Sequence, residues 1–513
     1  MNTRRFLFIP LGIAAIFAVT PVARLSAFSS GSGTYAKPYV LTDTDVLLDG
    51  GATYYSVGDA LFIDALTVGK TTTGNHLALS VSGADLYDNT AIVGDSAGSS
   101  GDVTLTNSAL WDCLGSLTIG NSGTGVVNVS GAGTALQAPT LTVGSTGTGT
   151  VSLTDGASMT SSTFHLAGNA GSSGTATISG AGTLCLIGSE LTVGTSGTGD
   201  LTISDGATVE KSSTGSTYIG VGYASGSTGR MVVTGSGTKV ASFYQVYVGD
   251  SGKGTLVVSD GARFSNDVTI IGMDSTGVGL AVLVDSGSFW EITTAMSMNG
   301  DGWASLVISN GALMRIDASD GLGTTNGTLY LADGYLALKG SHTASEIATS
   351  HSIRVCTGTG WAVATTGNLT ATYYDGTTNV WSASARYSVY GGDLTGYTVI
   401  TGGNPKMTWS DAKVEGEGWY NSSWYGMYYN ALTWAGWIWH PSHGWQYVYP
   451  VGGEAEILWD VATQEWWYVD GAYYPAMYSY ATDKWFYFEG GVTPARTFWD
   501  YTAKTSVTEN VGM

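Results

Sequence analysis

The sequence predicts an all-β protein: a right-handed parallel β-helix, a solenoid of about ten turns of about 25 residues, followed by a small aromatic-rich antiparallel β-hairpin repeat domain. Two observations predict it. Between Leu66 and Gly311 one phrase recurs ten times: an alternating apolar pair ending in glycine, a Ser/Thr/Gly loop, and a second alternating strand closed by Asp-Gly or Ser-Gly. After residue 406 a shorter aromatic phrase recurs about every 20 residues.

The glycine that closes the first strand marks each long repeat. A period near 25 residues is typical of solenoids, in which each repeat packs against its neighbours. Leu191 and Val193 lie two residues apart, as do Leu201 and Ile203, and this spacing indicates strands with one buried face. The spacing of 3.6 residues that marks amphipathic helices is not seen in the repeats, which excludes the helical solenoids. The marker glycines are Gly69, Gly94, Gly120, Gly144, Gly168, Gly194, Gly222, Gly249, Gly272 and Gly300.

The N-terminal residues predict export. Residues 1–27 begin with two arginines, continue with an apolar run from Phe6 to Val19, and end in Leu25-Ser26-Ala27, a pattern typical of a secretory signal peptide. We therefore expect a secreted or outer-cell-surface protein. The apolar runs of the sequence are too short to predict a transmembrane segment.

Changes of composition divide the rest of the chain. Alternation continues beyond the regular repeats but loses its period, and the stretch from Thr343 to Ser350 is compatible with one or two helical turns. Open ends of a stacked sheet need a cap against end-to-end association. The predicted segments are an N-terminal cap (28–65), the parallel β-helix (66–328), terminal coils and cap (329–401), a linker (402–406), the aromatic hairpin module (407–505) and a tail (506–513).

The net charge argues against certain ligands, and the cysteine positions argue against a disulfide. Removing residues 1–27, with three arginines and no acids, changes the formal net charge from −21 to about −24. A protein this acidic is a poor ligand for nucleic acid or anionic lipid. Cys113 and Cys185 fall three turns apart, roughly 14 Å, which is beyond disulfide reach. We expect these two and Cys356 to be small buried hydrophobes.

No catalytic constellation emerges, and no cofactor or metal is predicted. Asp155, Asp205 and Asp260 recur with the repeat, but Asp-Gly turn chemistry explains them. A polysaccharide lyase or hydrolase would need clustered carboxylates. His440 and His443 frame a predicted hairpin turn without a cysteine or acid nearby in sequence, so we expect a surface pair rather than a metal site.

The aromatic tail predicts a β-hairpin repeated three and a half times. Turn formers such as Pro441-Ser442-His443-Gly444 separate paired aromatic strands. Many rings must form the core, but the doublet Trp466-Trp467 places one ring on each face of a strand. The outer rings are candidates for stacking on sugars. The candidate glycan-binding residues are Trp439, Trp445, Trp459, Trp466, Trp467, Trp485 and Trp499.

Two family resemblances follow from these motifs. The unit running from Val193 to Ala207, and again from Val248 to Ala262, resembles the β-helix repeat associated with type V secretion (autotransporter) passengers and PEP-CTERM exported proteins. It covers residues 66 to about 316 and implies an exported β-helix, with little information on activity. The tail resembles, more loosely, the hairpin repeats of choline-binding and glucan-binding cell-wall proteins, through Gly436-Trp437-Ile438-Trp439 and Gly444-Trp445-Gln446-Tyr447.

Together these features favour a non-catalytic exported or cell-surface structural protein of the adhesin kind. Its β-helix would act as a spacer or adhesive surface, and its aromatic module would attach to an extracellular polysaccharide or the cell envelope. Alternatively, the aromatic module could bind a second copy of this chain. The alternative function is an extracellular carbohydrate-active enzyme, a polysaccharide lyase or hydrolase on a β-helix scaffold.

Overall fold

A computed structural model describes residues 45–48, 53–56, 61–79, 85–212, 215–357, 360–379, 394–402, 413–416, 419–430, 437–452, 455–463, 465–493 and 495–508. The predicted signal peptide, most of the predicted N-terminal cap and nearly all of the predicted linker lie outside these residues. The chain divides into two compact units, the first comprising Met1–Val282, Ser288–Ser305 and Ile316–Gly327, and the second the remainder. Among the described residues, no helix is long and apolar enough to cross a membrane.

The repeats form a β-solenoid of about 11 turns over residues 65–355, which confirms the predicted fold class. Val103, Val127 and Val151 are in parallel register 24 residues apart, so each residue of a strand stacks on its equivalent in the next turn. Asp45–Leu48, within the predicted N-terminal cap, already pairs in parallel with Ala65–Val68. Inward side chains alternate with outward hydroxyls, as period two requires.

Each turn contributes to two sheets. In the first sheet, strands often run on through a bend, so two of the three predicted short strands are frequently one long strand, as in Leu184–Val193. The strands of the first sheet are Asp45–Leu48, Leu61–Phe62, Ala65–Val68, Leu86–Val93, Leu110–Ile119, Ala135–Gln137, Thr140–Val143, Ser158–Leu166, Leu184–Val193, Thr208–Lys211, Tyr218–Val221, Lys239–Val248, Arg263–Ile271, Phe289–Ser297, Leu313–Ile316, Leu322–Gly323, Tyr335–Lys339, Leu369–Tyr374 and Tyr397–Gly402. Those of the second are Thr53–Ser56, Asn75–Leu79, Ser100–Leu105, Thr124–Ser130, Thr148–Thr154, Ser173–Ser179, Thr198–Ser204, Thr228–Thr234, Lys253–Ser259, Val278–Leu283, Trp303–Ser309, Gly327–Ala332, Ile353–Thr357 and Gly360–Val363.

Eight of the ten marker glycines, all but Gly168 and Gly300, have a left-handed backbone and turn corners of the solenoid. At Gly120 the backbone has φ +73°, and a Cβ there would lie 2.1 Å from the carbonyl oxygen of Thr148. Only glycine combines this left-handed conformation with such a close backbone approach. In one turn the corner lies a residue earlier than the marker: Ala167 has φ +60°, whereas Gly168 is not left-handed.

Two buried tryptophans donate hydrogen bonds to polar side chains inside the solenoid. The indole of Trp111 donates to Asp88 at 2.6 Å, and that of Trp290 donates to the side-chain oxygen of Asn266 at 2.9 Å. Burial raises the pKa of the Asp88 carboxyl. The three cysteines are free and buried, as predicted.

The Asp-Gly turns carry the expected aspartates. Asp155, Asp205 and Asp260 have φ between +53° and +58°, a conformation that aspartate tolerates better than most residues. The Asp205 carboxylate accepts hydrogen bonds from the hydroxyls of Ser179 and Ser204, which lower its pKa. Turn geometry therefore accounts for these carboxylates.

The predicted helical turn is an α-helix, Ala344–Ser350. Thr343 caps it: its hydroxyl accepts from the backbone N–H of Glu346 at 3.2 Å, while the Glu346 carboxylate accepts from the N–H of Thr343 at 2.7 Å. This reciprocal pair is a capping box. The next strand, Ile353–Thr357, still pairs in parallel with Gly327–Ala332. The later strand Tyr397–Gly402 pairs antiparallel with both Tyr335–Lys339 and Leu369–Tyr374.

The C-terminal residues form a separate antiparallel sheet of consecutive hairpins. The predicted repeats begin at Trp439, but the structure has one more hairpin before them, Trp419–Asn430, and completes the last one. The strands are Lys413–Gly416, Trp419–Ser422, Gly426–Asn430, Trp437–His440, Gly444–Gly452, Ala455–Asp460, Glu465–Asp470, Ala476–Ser479, Lys484–Gly490, Thr497–Asp500 and Thr505–Thr508. One face buries a core of Tyr420, Tyr425, Tyr428, Ile438, Val448, Leu458, Trp467, Val469, Met477, Phe486 and Phe498.

Candidate functional site

Each of the five hairpins of the C-terminal sheet is built on one turn acceptor. The acceptors are Ser422, His440, Asp460, Ser479 and Asp500, each at the end of the first strand of its hairpin. Every one accepts the backbone N–H of the residue three positions on, and all but Ser479 also accept that of the residue two positions on. Such side-chain acceptors replace the missing backbone partners of a turn.

The turn acceptor determines what the opposite face displays. All five acceptors are buried. Because successive residues of a strand point to opposite faces, the residue before each acceptor points away from the core. That position holds an aromatic residue in four of the five hairpins, namely Trp439, Trp459, Tyr478 and Trp499.

Six of the seven candidate tryptophans lie on this outer face. Trp445 is 44% exposed, Trp466 37% and Trp485 38%, while Trp439, Trp459 and Trp499 are half-buried. Trp467 is 4% exposed and stacks on Phe498 at 5.6 Å, so its indole belongs to the core and is closed to a ligand. The doublet Trp466-Trp467 thus places one ring on each face, as predicted.

Cross-strand pairing assembles the outer rings into rows. Trp439 pairs with Trp445, Trp459 with Trp466, and Tyr478 with Trp485, each pair adjoining a hairpin turn. The rings of Trp459 and Trp466 meet edge to face at 5.4 Å. Successive exposed tryptophans are two strands apart and staggered by two residues, which places their backbones roughly 12 Å apart.

Trp485 lies in the densest part of this outer surface. Its ring is 5.5 Å from that of Tyr478, 6.0 Å from that of Tyr473 and 6.3 Å from that of Tyr468. Edge-to-face and tilted contacts of this kind hold aromatic rings in fixed orientations. The result is an indole in contact with three phenol rings that remains 38% exposed.

The inner face contains a buried ion pair. Both terminal guanidinium nitrogens of Arg496 donate to Asp460, Nη1 to Oδ2 at 2.6 Å and Nη2 to Oδ1 at 3.0 Å. Exposure of these two side chains is 1% and 0%. Breaking a buried pair of this kind leaves an uncompensated charge, so the two residues depend on each other.

His443 joins this ion pair. Its Nδ1 lies 2.9 Å from Nη1 of Arg496, and its Nε2 lies 3.0 Å from the hydroxyl of Tyr474. Because a guanidinium can only donate, Nδ1 accepts and the proton is on Nε2. Burial, followed by the nearby His440 and the Arg496 charge, holds the pKa of His443 well below its ordinary value.

The predicted surface location of the two histidines is wrong. His440 is 6% exposed and His443 fully buried, because His440 acts as a turn acceptor. Its Nδ1 accepts two backbone N–H groups, so Nε2 donates to the carbonyl of Tyr425 at 3.0 Å. Burial lowers the pKa of His440 to about 4. Within the described residues, no group of three His, Cys, Asp or Glu side chains could hold a metal.

Sequence reasoning missed this network because its members are far apart in the chain. Arg496 is 36 residues from Asp460 and 53 from His443. The sequence repeat nevertheless contains information about which side chains are buried. His440 and Asp460 occupy equivalent repeat positions 20 residues apart, so a buried acceptor in one copy implies a buried acceptor in the other.

The outward surface of the solenoid offers one further polar cluster. On three successive turns, the Glu190 carboxylate lies between Nε2 of His165 and the hydroxyl of Tyr218, and both of its oxygens are engaged. A shallow groove along the bend of the long strands is lined by small hydroxyls, together with Gln137 and Asp112. Asp112 is the one carboxylate of that described lining, whereas glycoside hydrolysis ordinarily employs two.

Comparison with known proteins identifies no family or relative for this chain. A scan against known protein families, a search of curated proteins and a search of solved structures found no match for this chain.

Proposed function

We propose that this chain is a non-catalytic exported or cell-surface structural protein whose C-terminal sheet attaches it to an extracellular polysaccharide or cell-envelope glycan. One observation carries the proposal: Trp445, Trp466 and Trp485 remain 37% to 44% exposed although the same sheet has a complete core on its other face. Rings that the core does not need, gathered on one surface, mark an interaction site.

The chemistry of the surface favours sugars. Indole and phenol faces stack on the C–H faces of pyranose rings and bury a large area with few rotatable bonds. The formal net charge of −21 argues against nucleic acid as the polymer. The stagger of the exposed tryptophans, roughly 12 Å, suits a long chain that contacts several rings in succession.

The solenoid supports a structural role in this proposal. Its outer positions are mainly Ser, Thr and Gly in regular ladders, as in Thr148–Thr154 and Ser173–Ser179. Asp155, Asp205 and Asp260 serve their turns. The predicted signal peptide at residues 1–27 supports export.

The test is retention of the full-length protein on insoluble polysaccharides and isolated cell envelopes. The comparison is a triple variant, W445A/W466A/W485A, and the matched control is W303A, which removes an exposed tryptophan of the solenoid. A stacking contact worth about 1 kcal/mol gives roughly fivefold in affinity, so the triple variant should lose about a hundredfold. W303A should bind like the parent protein.

Two outcomes would contradict the proposal. Equal retention of a correctly folded triple variant would remove the outer face from the binding site. Absence of retention on every matrix, together with concentration-dependent dimers that the triple variant loses, would assign the face to self-association. Circular dichroism of all variants separates misfolding from loss of contacts.

A further inference from the structure

The tryptophan rows are not chemically uniform, and the difference indicates the class of sugar. Trp459 adjoins Trp466, whereas Trp485 is surrounded by the phenol rings of Tyr468, Tyr473 and Tyr478. Phenols carry hydroxyls that can fix polar partners at the edge of an indole platform. The Trp485 site therefore combines an apolar face with a polar rim.

Two carboxylates form that rim. The hydroxyl of Tyr468 donates to Oδ2 of Asp470 at 2.9 Å, and the hydroxyl of Tyr478 donates to Oδ1 of Asp483. These hydrogen bonds to the carboxylates raise the pKa of both phenols. A carboxylate has about four acceptor positions, so each retains capacity for a ligand donor after accepting its tyrosine.

Nearby cations are engaged elsewhere. The ammonium of Lys484 is 3.1 Å from Oδ2 of Asp500, and Arg496 is buried against Asp460. Over residues 413–508 the sequence has ten acidic and four basic residues, a formal net charge of −6. A carboxylate-bearing polysaccharide such as a uronan would be repelled by this surface, while a positively charged sugar would be attracted.

We propose that the Trp485 site binds an amino sugar in its ammonium form, as a unit of a polysaccharide with free 2-amino groups. The inference rests on the proposed glycan attachment and specifies its substrate class. The sugar ring stacks on the indole of Trp485, and its ammonium group donates to the carboxylate of Asp470 or Asp483. The indole face adds a cation–π attraction, for which tryptophan is the best of the aromatic residues.

The experiment compares glucosamine oligosaccharides with N-acetylglucosamine oligosaccharides of the same length and linkage, titrated into the full-length protein at pH 6. The two probes differ in charge at the 2-amino group. The glucosamine series should bind at least tenfold tighter, and this preference should shrink in high salt because exposed charges are screened. D470N and D483N should each weaken glucosamine binding up to about fivefold, the range of an exposed ion pair.

Matched variants separate this site from bulk charge. D301N removes one exposed carboxylate from the solenoid and should leave binding unchanged. W485A keeps every charge and should abolish the preference. Both aspartate variants should fold, because asparagine tolerates the left-handed backbone of Asp483 (φ +58°) and its amide oxygen can replace the Asp470 oxygen that accepts the N–H of Ala472.

The possible failures are distinguishable. Equal affinity for the acetylated and free-amine probes would overturn the amino-sugar assignment while leaving glycan attachment in place. A glucosamine preference that persists in W485A, or in D470N/D483N, would overturn it as well and attribute the preference to overall charge. Binding of neither probe, with no retention on any polysaccharide, would reject both proposals together.

Discussion

The stability of the C-terminal sheet should fall steeply between pH 7 and pH 5, because two of its histidines are buried in neutral form. His440 accepts two backbone N–H groups through Nδ1, and His443 accepts from the guanidinium of Arg496 through the same atom. Protonation of either Nδ1 destroys these contacts. An unfolded chain has no such restriction and protonates near the ordinary histidine pKa of about 6.5.

The size of the effect follows from the pKa of His440, about 4 in the folded protein. A depressed pKa means that the unfolded state binds more protons, so stability is fully present above about pH 6.5 and is lost as the pH falls toward 4. Between pH 7 and 5, protonation of an unfolded histidine is worth roughly 1.9 kcal/mol, of which the folded state recovers less than about 0.1 kcal/mol. His440 therefore removes about 2 kcal/mol, and His443, whose pKa is also held below its ordinary value, adds a loss in the same direction. Glu465, whose pKa is raised by burial, acts in the opposite sense and offsets part of the loss.

The assay is urea unfolding of the full-length protein at pH 7 and pH 5, followed by tryptophan fluorescence. Twelve of the 17 tryptophans lie after residue 406, so the signal reports mainly on this sheet. The matched variant is H440N, since an asparagine oxygen can accept the turn N–H groups in place of Nδ1 without titrating. It should lose about 2 kcal/mol less than the parent protein on acidification. An unchanged pH dependence in folded H440N would refute the reasoning, because every other titrating group is common to both proteins.

Three further perturbations test the packing. Replacing Gly120 with alanine should destabilise the solenoid well beyond the 1 to 2 kcal/mol of a left-handed alanine, whereas G98A, at φ +82° with open space around it, should cost only that amount by thermal unfolding. W467A should lower the unfolding free energy by about 3 to 5 kcal/mol and W466A by less than about 1 kcal/mol, and equal losses would contradict the assignment of their faces. R496M should cost about 3 to 5 kcal/mol in the same urea assay, because it leaves a buried carboxylate unpaired; a loss under 1 kcal/mol would show that the carboxylate is solvated.

The solenoid could be predicted from sequence because its information is local. Alternation of Leu191 and Val193 and the glycine after them specify a strand and a corner without reference to the rest of the chain. Stacking then follows from repetition alone. What alternation could not locate was the left-handed residue at Ala167, since alanine has no intrinsic preference for that conformation and neighbouring turns impose it.

The C-terminal sheet was only partly predictable, because its core depends on contacts between hairpins. The first hairpin escaped detection because its turn acceptor is Ser422 and the positions equivalent to Trp439 and Trp445 hold Asn421 and Met427. The buried role of His443 depends on Arg496, which follows it by 53 residues. No local sequence pattern predicts a contact between residues so far apart in the chain.

The two faces of this sheet can vary independently, because neighbouring residues of one strand lie on opposite faces. In all five hairpins the turn acceptor at the end of the strand is buried, so the residue before it points outward. His440 and Trp439 are such a pair, and so are Asp460 and Trp459. The inward member determines stability and its pH dependence, while the outward member is free for a ligand. Substitutions at Trp445 or Trp485 should therefore weaken binding and leave the acid sensitivity of the fold intact, whereas H440N should reduce the acid sensitivity and leave binding intact.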